Sequence, residues 1–140
     1  MKKIICCILA LLCVITLCSC NTEYTHGVYK IEITSKCIEK NHVGNEWSQI
    51  YWYKDELIES GDKITAELGS KITIAAVITE EDKYEDVGTG AVEIELSDEA
   101  SNSTYVYVEE RGGRFRGNVA KWKVTATAKL VRKTNIKEDK

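Results

Sequence analysis

The chain has 140 residues, which is enough for one domain and too few for two domains of ordinary size. Hydrophobic residues make up 44% of it and charged residues 29%, a globular balance that excludes wholesale disorder. The formal net charge is −3, so the chain lacks the basic character that nucleic acid requires, and we expect no nucleic-acid partner.

The first predicted element is an export signal. Lys2 and Lys3 precede an apolar run over 4–17 that only Thr16 interrupts. A helix of that length spans about 21 Å, which is short of a hydrocarbon core of roughly 30 Å. The run therefore favours a cleaved signal peptide over a permanent transmembrane helix.

The apolar run ends in Leu17-Cys18-Ser19-Cys20. This tetrapeptide resembles the lipobox of bacterial lipoproteins, with leucine three residues before the cysteine and small residues between them. The resemblance implies cleavage between Ser19 and Cys20 and a diacylglyceryl group on the sulfur of Cys20. The mature protein would then be anchored in the bacterial cell envelope, on the extracytoplasmic face of a membrane. An ordinary secretory signal with scattered cysteines is the alternative.

The domain division that follows has four parts. These are a signal peptide (1–19), a lipidated N-terminus with a short tether (20–27), a folded domain (28–132) and a flexible polar tail (133–140). Once the signal is removed and Cys20 is lipidated, Cys37 is the one cysteine left, so we expect no intramolecular disulfide. The core alone must then stabilise the domain.

The folded domain shows a period-two alternation of apolar and polar residues, which is typical of strands with one buried face. The clearest case is 121–130, where Trp122 and Val124 alternate with lysine and threonine. Turn-forming residues separate the runs, including a predicted turn at 87–90. We predict an all-β fold, a single antiparallel β-sandwich of seven or eight strands, C-two-like or immunoglobulin-like. The strands are predicted at 28–34, 47–53, 63–68, 71–79, 91–96, 104–110 and 121–130.

An acidic segment follows the apolar run 71–79 and contains Glu80, Asp82 and Asp86, before Val87-Gly88 and another strand. This order resembles the strand, acidic loop, glycine and strand of C-two domains. The resemblance implies a calcium site, in which Glu80 and Asp82 match the alternating acidic pair and Asp86 the later acid. The alternative is a solvated acidic hairpin loop that keeps the sandwich soluble.

The segment 111–118 carries Arg111, Arg114 and Arg116 among three glycines. Guanidinium groups match carboxylate and phosphate geometry, so the three arginines are candidates for binding an acidic partner. The alternative is that the glycines serve a tight connection between two strands.

The residues that most enzymes require are scarce. The two histidines, His26 and His42, have no metal-ligand spacing, and no Gly-x-Ser-x-Gly sequence is present. We therefore predict a non-catalytic binding module of unknown ligand, monomeric, without a cofactor unless calcium binds. Its partners would be the membrane, through the lipid at Cys20, and an envelope protein or small ligand. A calcium-binding C-two-like domain and an envelope enzyme without a recognisable motif are the alternatives.

Overall fold

The computed structural model describes residues 23–82 and 84–135. The predicted signal peptide, its cleavage position at Ser19 and the lipid site at Cys20 lie outside these residues. No helix in the described part of the chain is long and apolar enough to span a bilayer. The described residues form eight strands: β1 (His26–Lys40), β2 (Trp47–Tyr53), β3 (Glu56–Ile58), β4 (Lys63–Glu67), β5 (Lys71–Glu80), β6 (Asp86–Glu95), β7 (Glu99–Glu109) and β8 (Val119–Thr134).

The strands form two sheets of four. The first sheet has the order β4-β1-β8-β7 and the second sheet the order β3-β2-β5-β6, and every pairing is antiparallel. This confirms the predicted all-β sandwich. Strand β3 was not predicted from the sequence, because its three residues are too few to show an alternation.

Strand β8 shows why the sequence adopts this fold. Its apolar residues Val124, Ala126 and Ala128 are fully buried, whereas Lys123 on the opposite face is exposed. Trp122 packs against Trp47 of the facing sheet, with ring centroids 5.1 Å apart. The inward-facing apolar residues of the two sheets thus form one continuous core between them.

The predicted turn at 87–90 is wrong, because these residues belong to β6. Strand β6 crosses close to β7 of the other sheet. A Cβ at Gly88 would overlap the carbonyl oxygen of Tyr107, and one at Gly90 would lie 2.8 Å from the Val106 side chain. The glycines therefore permit a close approach of two strands and do not form a turn.

The two ends of the sandwich differ in what they contain. At the amino-terminal end, where β1 begins and β8 ends, the Thr25 amide donates to Asn135 Oδ1 at 3.1 Å. The Leu68 amide donates to the Thr25 carbonyl at 3.0 Å. At the opposite end β5 finishes, β6 begins and β7 finishes, and acidic side chains gather there. We name this the acidic end.

Candidate functional site

Strand ends position the carboxylates of the acidic end. Glu80 is the last residue of β5 and pairs with Asp86, the first residue of β6, while Glu110 directly follows β7. Glu80 and Asp86 are each 1% exposed and Glu110 is 8% exposed. Acidic side chains are seldom buried to this extent unless a partner compensates their charge.

Asp86 has such a partner. The backbone amide of Arg111 donates to both Asp86 carboxylate oxygens at 3.2 Å, and Arg111 Nε donates to Oδ1 at 3.3 Å. The side chain of Arg111 is otherwise largely exposed. Asp86 therefore fixes the end of β7 to the start of β6, and its charge is compensated.

Glu80 is in a different situation. Its Oε2 is buried and has no hydrogen-bond partner. Carboxylate oxygens of Glu80, Asp82 and Glu110 lie within 4.8 Å of one another. Asp82 is exposed and accepts a 2.6 Å hydrogen bond from the Tyr84 amide, which orders the loop that carries it. Two further carboxylates thus lie close to the carboxylate of Glu80, one oxygen of which is buried and unsatisfied.

Gly44 closes one side of this carboxylate cluster. A Cβ at position 44 would overlap the carboxylate of Glu80, so any other residue in the loop that follows β1 would have to displace that carboxylate. Val43, beside it, is 2% exposed and joins the core. The packing of Val43 in the hydrophobic core therefore fixes the position of this loop.

Burial raises the pKa of Glu80 above its ordinary value, and the nearby carboxylates of Asp82, Glu110 and Asp86 raise it further. A hydrogen bond from the Asp82 backbone opposes this rise. Negative charge at Glu80 is therefore unfavourable unless a proton or another cation compensates it.

A cavity of about 650 Å³ opens beside the cluster, and Asp82 and Glu110 line it. Its other walls include His42 and Phe115, whose rings stack with centroids 5.5 Å apart. Arg114 lies 4.7 Å from the centre of the Phe115 ring. Asp82 and Glu110 thus share an accessible cavity with an aromatic pair and an arginine.

The three candidate arginines do not converge on one point. Arg111 binds Asp86, Arg114 stacks on Phe115, and Arg116 is exposed. Gly113 and Gly117 have positive φ angles of 66° and 90°, so the glycines of this segment shape the connection between β7 and β8. An acidic partner for the arginines stays a prediction.

Of the predicted calcium ligands, the structure brings Glu80 and Asp82 together, while Asp86 is engaged by Arg111. Sequence reasoning missed Glu110. The alternation of β7 contains the missing signal, because Val106, Val108 and Glu110 fall on the same buried face. Glu110 could have been identified from the sequence, because the alternation places its carboxylate on the face of β7 that points into the core.

Comparison with protein-family models, with curated proteins and with solved structures gives no match to this chain.

Proposed function

We propose that the chain is a lipid-anchored extracytoplasmic binding module that holds a calcium ion at Glu80, Asp82 and Glu110. The observation that carries the proposal is the buried, unpartnered Oε2 of Glu80 beside two further carboxylates. A buried anionic oxygen without a donor is costly, and a cation at this position would compensate it.

The spacing and the type of the ligand atoms favour calcium. Calcium binds oxygen at about 2.3–2.6 Å, so two oxygens on one ion lie at most about 5 Å apart, as the oxygens of this cluster do. The donor set is all oxygen, without the histidine or cysteine that zinc prefers. Among the described residues no ion pair joins these three carboxylates to a lysine or arginine.

When bound, the ion would offset two of the three negative charges of the cluster and link the loop after β5 to the end of β7. Three carboxylates supply up to six oxygens, and the remaining positions would open toward the cavity. An oxygen-bearing ligand in that cavity could then share the ion.

The position of the proposed anchor predicts how the site is oriented relative to the membrane. The proposed lipid at Cys20 precedes Thr25 by five residues, which span at most about 18 Å. Thr25 is tied to the amino-terminal end, whereas the carboxylates lie at the opposite end of the ten-residue strand β5. The site would therefore face away from the point at which the lipid enters the membrane.

A calcium titration tests the proposed site. We expect heat on adding calcium and a melting temperature that rises with calcium concentration, much less with magnesium, because the ion binds only the folded state. Glu110→Gln should remove both effects. Its matched control is Glu109→Gln, which removes the same charge from the exposed neighbour and should leave both intact. No heat and no melting shift at millimolar calcium would refute the site.

The anchor is tested separately by metabolic labelling with an alkyne fatty acid. The wild-type chain should be labelled and Cys20→Ala should not, because the lipobox resemblance assigns the acylated sulfur to Cys20. Continued labelling of Cys20→Ala would show that the assignment is wrong.

A further inference from the structure

The cavity at the acidic end contains charges of both signs that do not pair with each other. Asp82 and Glu110 line it, and so do Lys40 and Arg114. Among the described residues no ion pair joins either carboxylate to either cation. The cavity volume of about 650 Å³ lies within the range of roughly 300–1,000 Å³ that small-molecule sites occupy. A ligand of that size can therefore contact both sets of charges at once.

Aromatic contacts position the guanidinium of Arg114 at this cavity. Its Cζ lies 4.7 Å from the centre of the Phe115 ring, and the His42 ring stacks on the same phenyl group. A guanidinium that packs on an aromatic ring keeps its N–H donors, which match the two oxygens of a carboxylate or phosphate group. In the part of the chain that the structure describes, Arg114 forms no ion pair. Its donors are therefore available to an anionic group in the cavity.

Lys40 supplies the second cation. It is the last residue of β1, and its Nζ donates a hydrogen bond to Oδ1 of Asn45 across the loop that carries Gly44. An ammonium group has three donors, so this contact fixes the side chain and leaves donors for a ligand. Asn45 lines the same cavity. The loop that covers Glu80 thus also positions a cation for the cavity.

Calcium would reverse the charge of this site. The three carboxylates of the cluster exceed the two cations by one, so the described groups together carry a formal charge of −1 when all are ionised. A calcium ion beside the buried, unpartnered Oε2 of Glu80 makes that charge +1. An anion is therefore disfavoured before calcium binds and attracted afterwards. Beside the ion itself the carboxylates keep one excess negative charge, so neutral oxygens such as hydroxyl groups suit the remaining coordination positions.

We infer that the cavity binds a small hydroxylated anion, a sugar acid or a sugar phosphate, when calcium occupies the carboxylate cluster. The anionic group binds Arg114 and Lys40, and hydroxyl groups of the same molecule coordinate the ion at positions that the protein leaves open. Two exposed cations alone bind an anion weakly in water, so the ligand needs the ion as well. This inference rests on the proposed calcium site and names the class of ligand that the site takes.

Calorimetry of the full chain in detergent tests the inference, with galacturonate and glucose 6-phosphate as the probes. At saturating calcium at least one of the two should bind about ten-fold more tightly than its neutral counterpart, galactose or glucose, because only the charged probe engages the guanidinium. With a chelator in place of calcium, the same probe should bind at least about ten-fold more weakly. The preferred probe shows whether the anionic group is a carboxylate or a phosphate.

A substitution separates the anion from the ion. Arg114→Gln should weaken binding of that probe about ten-fold while the calcium-dependent melting shift remains, because Arg114 holds the anion and does not coordinate calcium. The retained melting shift also shows that the variant is folded. Arg132→Gln is the matched control, since it removes an exposed arginine from the amino-terminal end, and it should leave probe binding unchanged.

The inference is overturned if neither probe binds in calcium, if binding is equal with and without calcium, or if the neutral sugars bind equally well. Wild-type affinity of Arg114→Gln for the probe would overturn it too. Failure of the calcium site is distinguishable from failure of this inference. If calcium itself gives no heat and no melting shift, both proposals fail; if calcium binds and the probes do not, only the ligand class is wrong.

Discussion

The two ends of the sandwich are completed by different means. Backbone hydrogen bonds join neighbouring segments at both ends, such as the Leu130 amide to the Asp98 carbonyl at 2.8 Å at the amino-terminal end and the Glu110 amide to the Asn118 carbonyl at 2.9 Å at the acidic end. The acidic end contains, in addition, three buried carboxylates, Glu80, Asp86 and Glu110. Backbone bonds suffice to close a sandwich of this kind. Of the three carboxylates, only Asp86 is explained by its structural contacts with Arg111, so Glu80 and Glu110 need an explanation beyond folding.

The first prediction concerns that structural carboxylate. Asp86→Ala should lower the free energy of unfolding by about 3 kcal/mol, because it leaves the Arg111 amide and guanidinium without their buried acceptor. Urea unfolding measures the loss. Glu67→Ala at the exposed amino-terminal end is the control and should change little. Similar losses of unfolding free energy from the two variants would show that the buried carboxylate Asp86 stabilises the domain no more than the exposed Glu67 does.

The second prediction concerns the loop over Glu80. Gly44→Ala should destabilise the domain by about 2 kcal/mol and remove the calcium-dependent melting shift, because the new Cβ displaces the Glu80 carboxylate. Gly112→Ala is the matched control at the same end, since its Cβ would make an ordinary contact with Tyr84 at 3.8 Å. A Gly44→Ala protein with unchanged calcium response would show that the loop does not shape the site.

Much of the fold was predictable from sequence because the alternation is local. The pattern of 121–130 alone assigns Val124 to the core and Lys123 to solvent, as the structure has them. The strand character of 87–90 was not predictable, because the need for Gly88 arises from Tyr107 on another sheet. Glycine signals a turn when only its neighbours in sequence are considered.

The candidate site was predictable in part for the same reason. Glu80 and Asp82 stand in one dense acidic segment, so they attract attention without any knowledge of the fold. Glu110 reaches them only through the packing of β7 beside β6, and Gly44 through a loop that precedes β2. Contacts between residues distant in sequence determine which carboxylates meet, and a single sequence does not contain that pairing.

The third and smallest effect is a gain in stability. With a chelator present, Glu80→Gln should raise the free energy of unfolding at neutral pH by about 1 kcal/mol, because it removes a buried charge that the nearby carboxylates oppose.

The gain must depend on pH, since the pKa of Glu80 is higher in the folded than in the unfolded chain. Below its ordinary value of 4.5 the side chain is protonated in both states, and wild type and variant should be equally stable. As the pH rises from 4.5 to the folded pKa, the wild type loses stability relative to the variant, because the unfolded chain releases its proton first, and above the folded pKa the difference stays constant. Urea unfolding from about pH 4 to pH 8 follows this difference. Glu81→Gln, which removes an exposed carboxyl group from the adjacent position, is the matched control. A difference that is flat across this range would mean that Glu80 ionises normally, and the contrast with the compensated Asp86 would fail.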